Sequence, residues 1–147
     1  MSWVSENLMK DENIIYQGKL HWIIFVPGAI LVVLGIGLWR VQPLSVVLIL
    51  AGLIFVVRGF VKRSTTEIAV TNKRVIGKTG LIRRDTIDLN LAKVESLYAD
   101  QGLFGRMLGY GAVRIKGTGG SSFVVKSVMA PMQYKTAANE QIDKVHS

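Results

Sequence analysis

The side chains that could do chemistry in this 147-residue chain are few and scattered. Cysteine is absent, so thiolate metal sites, disulfides and cysteine nucleophiles are excluded. The two histidines, His21 and His146, lie at opposite ends of the sequence and make a poor metal site. Ser121-Ser122 has no histidine nearby and no Gly-x-Ser-x-Gly elbow. Asp85 and Asp88 are three apart, which on a strand sets them on opposite faces, and they read as surface partners for Arg83 and Arg84. The run from Gly102 to Gly111 is rich in glycine but lacks the Gly-Lys-Ser/Thr ending of a phosphate loop. Nor does Gly109-Tyr110-Gly111 continue into a dinucleotide fingerprint, so these glycines read as turns and a bulge between strands. No catalytic residue and no metal site assemble, no cofactor is implied, and the expectation is a protein that is not an enzyme.

What remains is charge. Eighteen lysines and arginines face ten acids, for a net charge of +8. The twelve basic residues beyond residue 63 form no arginine-rich arm and are not interleaved with aromatic stacking platforms, so nucleic acid is not an expected partner. The excess is densest from Arg58 to Arg84, where eight basic residues face one acid, Glu67. Arg58, Lys62 and Arg63 sit where a membrane segment would end and would fix its orientation. Lys73, Arg74 and Lys78 flank a strand turn further on and are candidates for lipid headgroup contact, worth about 1 kcal/mol each near an anionic surface.

The elements that must carry these residues have two textures. Between Trp22 and Val61 there are only two charges, Arg40 and Arg58, although the mean hydropathy of the whole chain is just +0.36. Residues 22–39 and 44–61 read as two membrane-spanning helices joined by a tight turn at 40–43. Eighteen residues of helix reach about 27 Å. A cleaved signal peptide fits badly, because a second apolar run follows at once. A buried hairpin in a soluble core fits badly too, because the charge-free length is excessive for so small a chain. The lysine and arginine bias places both termini in the cytoplasm. Trp22 and Trp39 stand where interfacial indole anchors belong. Gly28 and Gly35 in one run, and Gly52 and Gly59 in the other, repeat every seven residues. That spacing offers one smooth face on each helix for close packing.

Beyond residue 63 the pattern turns to period-two alternation. Residues 65–71, 74–79, 82–89, 94–99, 112–116 and 123–126 read as strands of an antiparallel meander, with a glycine-rich hairpin loop at 117–120. Pro131 then opens a helix over 131–146 whose apolar residues Tyr134, Ala138, Ile142 and Val145 form one stripe. The expected organisation is an N-terminal cytoplasmic segment (1–21), a transmembrane hairpin (22–61) and a cytoplasmic domain (64–147). Residues 12–18 could add a strand to that domain, and residues 2–10 could be a short helix or a frayed tail.

Three stretches resemble bacterial pleckstrin-homology (PH)-like membrane proteins. They are Asp11–Tyr16 with Leu20–Phe25 and Pro27, then Val70–Ile76 running into Gly80–Arg84, and finally Lys93–Ser96 with Gln101–Gly111 and Gly117–Gly120. The resemblance implies a membrane α-helical hairpin followed by an α+β PH-like domain, a bent antiparallel sheet or partial barrel capped by a C-terminal helix. It also implies residence in the bacterial cytoplasmic (inner) membrane, and partners that are membrane lipids, another protein or further copies of the chain. In the alternative expectation, the chain is a subunit of an envelope transport or stress-response assembly whose hairpin makes the partner contacts. The family carries no established catalytic residues to transfer.

Overall fold

The computed structural model describes residues 2–147. In chain order its elements are α1 (Trp3–Glu6), β1 (Ile14–Gly18), α2 (Val26–Gly37) and α3 (Leu44–Thr65). Then come β2 (Glu67–Thr71), β3 (Arg74–Thr79), β4 (Asp85–Asn90), β5 (Val94–Asp100), α4 (Leu103–Leu108), β6 (Tyr110–Gly117), β7 (Ser122–Met129) and α5 (Pro131–His146). Contacts divide the chain into two units, residues 22–64 and the remainder.

The β-rich unit holds two antiparallel sheets, β1-β2-β3-β4 and β5-β6-β7. Alternation on β2 points Ile68 and Val70 to one side of the first sheet and Ala69 and Thr71 to the other, yet all four are buried. The second side is covered by the N-terminal segment, whose Val4 packs with Ala69 and Ile76, flanked by Trp3, Leu8 and Ile14. Tyr134 and Ala138 of α5 are fully buried, as are Val113 and Ile115 of β6 and Val128 of β7. Pro131 at the first turn suits the helix start, where an N–H would have no intrahelical acceptor.

Three expectations change here. Residues 1–21 are not a separate segment: the described residues 2–21 complete the β-rich unit with an edge strand and a covering layer. Strand β4 starts at Asp85 rather than residue 82, because residues 80–84 form the turn that Gly80 enters with φ +93°. The glycine-rich stretch contains a helix, α4, stopped at Gly109 in the left-handed conformation that ends helices.

Strand β1 pairs with β2, with Gly18 opposite Ile68. The helical unit is therefore inserted in the connection between the first two strands. The chain leaves the β-rich unit and returns to it at one end of a single strand pair.

In the helical unit, a 3-10 turn over Trp22–Phe25 leads into α2. Gly28 faces Gly52 and Val56, whereas Gly35 faces Ser45 and Ile49, so α2 and α3 run antiparallel. A Cβ added at Gly28 would lie 2.8 Å from the Gly52 carbonyl oxygen, and one at Gly35 3.0 Å from that of Ser45. Gly37 has open space around it. Helix α2 ends at Gly37, so Trp39 falls in the connection rather than on the helix. Helix α3 continues to Thr65, past the expected end at 61. Among the described residues, only α3 is long and apolar enough to cross a membrane; the apolar stretch Trp22–Gly37 is shorter. The expectation of two full-length spans is met in length by α3 alone.

Candidate functional site

Arg74 opens β3, and the turn before it is locked by Thr71, whose hydroxyl accepts the Arg74 backbone N–H at 3.0 Å. Arg74 is nearly covered, at 7% exposed. Its Nε donates to Glu12 Oε1 at 2.9 Å, and Nη2 donates to Glu12 Oε2 at 3.1 Å and to the Asn7 carbonyl at 2.7 Å. Nη1 donates to the carboxylate of Asp88 on β4. Arg74 thus joins the N-terminal segment to two strands. Burial pushes the Glu12 carboxyl pKa up, but hydrogen bonds from Arg74, the Met9 N–H and the Thr71 hydroxyl outweigh it, holding the value down to about 2. Glu12 and Asp88 keep Arg74 charged.

Beside this cluster lies an open groove of about 720 Å³. Lys73, Lys93, Asn72, Asn90 and Thr118 give it polar walls, and Met9, Leu89 and Val145 give it apolar ones. The half-buried Lys73 donates its ammonium to the Lys10 carbonyl at 2.7 Å. Asp88 also lines the groove, but its charge is taken up by Arg74. Two ammonium groups, two amides and a hydroxyl around a partly apolar floor suit an elongated, carboxylate-bearing ligand. They supply no nucleophile with an adjacent base, and no group of metal-ligating side chains occurs among the described residues.

The groove occupies one end of the first sheet, where Ile14, Thr71, Arg74 and Asn90 are neighbours across the strands. The chain exits to the helical unit at the other end, past Gly18. Helix α5 contributes Val145 to the groove, and its first residue, Pro131, lies fourteen residues earlier, or about 21 Å along the helix.

Two antiparallel sheets closed by one C-terminal helix form the architecture that the resemblance implied, and the sequence match agrees. A protein-family model described as the bacterial PH domain matches residues 22–144. The chain belongs to this family. The matched region takes in the inserted helices as well as β2–β7 and most of α5. PH domains are in general non-catalytic interaction modules. No curated protein matches the chain.

Within this PH-like unit the expected headgroup triad does not hold together. Arg74 is withdrawn, since its donors are spent on Glu12, Asn7 and Asp88. Lys73 sits in the β2–β3 turn at the groove end, whereas Lys78 lies near the other end of β3, opposite Glu67. Five residues of strand separate them by about 17 Å. The Lys78 ammonium lies 5.7 Å from the centre of the Trp3 ring. Asp88 partners Arg74 rather than Arg83 or Arg84, and Arg83 lies 3.9 Å from Asp85 on the open surface.

Sequence reasoning missed Glu12, Asp88 and Lys93 as groove or cluster residues. The Glu12–Arg74 pair spans 62 positions, and no local pattern signals it.

Proposed function

We propose that this PH-domain protein is a membrane-tethered interaction module in the bacterial cytoplasmic membrane. In this reading the α2–α3 pair is held in lipid, both termini face the cytoplasm, and the groove takes an acidic segment of a partner protein. One observation carries the tether. The outward positions of the helical unit are apolar along its length, including Ile30, Val33, Ile36, Val47, Leu50, Ile54, Val57 and Phe60, all more than half exposed. A surface of that kind is unstable in water and suits hydrocarbon. The 3-10 turn and α2 together span about 26 Å, because 3-10 residues rise 2.0 Å each. Arg58, Lys62 and Arg63 follow the most apolar part of α3, where long basic side chains reach the headgroups.

The lining of the groove favours protein over lipid as its ligand: two ammonium groups and two amides beside Met9, Leu89 and Val145 match the carboxylates and apolar side chains of an acidic peptide segment. Full-length protein should remain with membranes after alkaline carbonate extraction. Photo-crosslinkers placed at Asn90 and Thr118 should capture an acidic partner, and Lys73→Glu with Lys93→Glu should abolish the capture. Release by carbonate would contradict the tether. Capture only from Val47 or Phe60 would favour the second reading, in which the helices themselves make the partner contacts.

A further inference from the structure

Helix α4 is amphipathic in the wrong sense for a soluble domain. Its residues Leu103, Phe104, Met107 and Leu108 cover an arc of about 140°. The first three are 75%, 68% and 75% exposed. The buried residue is Gly105, where a Cβ would stand 2.4 Å from the Tyr110 carbonyl oxygen, so backbone rather than an apolar face seats the helix on β6. Leucine, phenylalanine and methionine displayed together on one short helix mark an unoccupied contact surface.

Its place in the fold selects the occupant. Tyr110, two residues past α4, lies with its ring 5.5 Å from that of His21, the last residue before the chain leaves the β-rich unit. The Gly109 carbonyl accepts from Ala130 N–H at 2.9 Å, and Met129 N–H donates to the Lys19 carbonyl at 2.7 Å. Helix α4 is thus fastened beside the exit point. A second exposed apolar feature shares that end. Gly18, Ile68, Gly77 and Ile87 form one row across the first sheet, and just beyond it the β3–β4 turn carries Ile82, 99% exposed, beside Leu81. Basic residues accompany both features: Arg106 on α4, and Arg83 and Arg84 after Ile82, of which Arg83 lies 3.9 Å from Asp85.

We propose that α4 and the Leu81-Ile82 turn insert into the headgroup–acyl boundary of the membrane that holds the helical unit, making the chain-exit end of the PH-like unit a second membrane contact. Apolar side chains backed by arginines are the composition that such interfacial elements need. The inference rests on the tether proposed above. It also accounts for the basic excess downstream of residue 78 without invoking Lys73 or Arg74.

The test uses the full chain reconstituted into vesicles containing anionic lipid, with single cysteines carrying an environment-sensitive dye. Phe104→Cys and Ile82→Cys report the proposed contact, Leu53→Cys reports the tether, and Lys93→Cys reports the opposite end. Brominated acyl chains should quench the dye at positions 53, 104 and 82 and leave position 93 unchanged. Quenching at 53 without quenching at 104 and 82 overturns the inference and leaves the tether standing. Absence of quenching at 53 overturns both. A dye at 104 that is shielded from aqueous iodide yet insensitive to brominated lipid shows a protein occupant, and likewise overturns the inference.

Discussion

Arg74 shows how a basic residue can be spent on architecture. Replacing Arg74 with methionine leaves the Glu12 carboxylate buried without its principal partner, a change that costs about 3–5 kcal/mol. Denaturant unfolding followed by Trp3 fluorescence should show that loss. Glu12 gives the complementary test through pH. Its carboxyl falls from an ordinary 4.5 to about 2 on folding, so the unfolded chain binds the proton more tightly. The stabilisation, roughly 3 kcal/mol, is complete above about pH 4.5 and is lost as pH falls towards 2. Glu12→Gln should be less stable at pH 7 and show a flatter profile across that window. Tyr134 offers a contrast. Burial pushes its phenol pKa well up, and its hydroxyl has no hydrogen-bond partner among the described residues. Tyr134→Phe should therefore be neutral or stabilising by up to about 1 kcal/mol, whereas Tyr134→Ala opens a cavity and costs about 3–5 kcal/mol. Thermal melts of the two variants separate these effects.

At the scale of elements, legibility followed locality. Strand β3 begins and ends where alternation between the Asn72-Lys73 turn and Gly80 places it, and α5 starts at the proline that signals it. Helix α4 was hidden because its glycines carry turn signals, although Gly105 is there to let the helix approach β6. Strand β1 was only half legible, since its partner β2 lies beyond an inserted unit and pairing across such a gap leaves no trace in either stretch. Of the candidate binding residues, Lys73 was visible as charge. The burial of Arg74 was not, because it depends on a carboxylate 62 positions away. Glycine spacing in the helices matches close contacts in the structure, and these make a prediction. Gly35→Leu or Gly52→Leu forces side-chain atoms into backbone across the α2–α3 contact, which costs about 1–3 kcal/mol. Gly37→Leu meets open space and should melt in detergent like the parent. Equal melting of all three would show that the contact has no energetic role.

For the whole molecule, the inserted unit governs how experiments must be built. A fragment beginning at residue 64 lacks β1, Val4 and Glu12, so it leaves β2 with an open edge and Arg74 without its main partner. Membrane and partner binding are therefore to be measured on the full chain. The insertion also constrains topology. Because the chain leaves past Gly18 and returns at Ile68, its cross-strand partner, the tether proposed above requires both ends of the helical pair to lie on the side of the membrane that holds the PH-like unit. The absence of native cysteine makes that directly measurable. Single cysteines at Lys10, Gln42 and Lys144, probed in intact cells with a reagent that cannot cross the membrane, test the account most directly. Gln42→Cys should react in intact cells, and Lys10→Cys and Lys144→Cys only after permeabilisation. Reaction of all three in intact cells, or of none until the cells are opened, would contradict a membrane-tethered PH-like module with both termini in the cytoplasm.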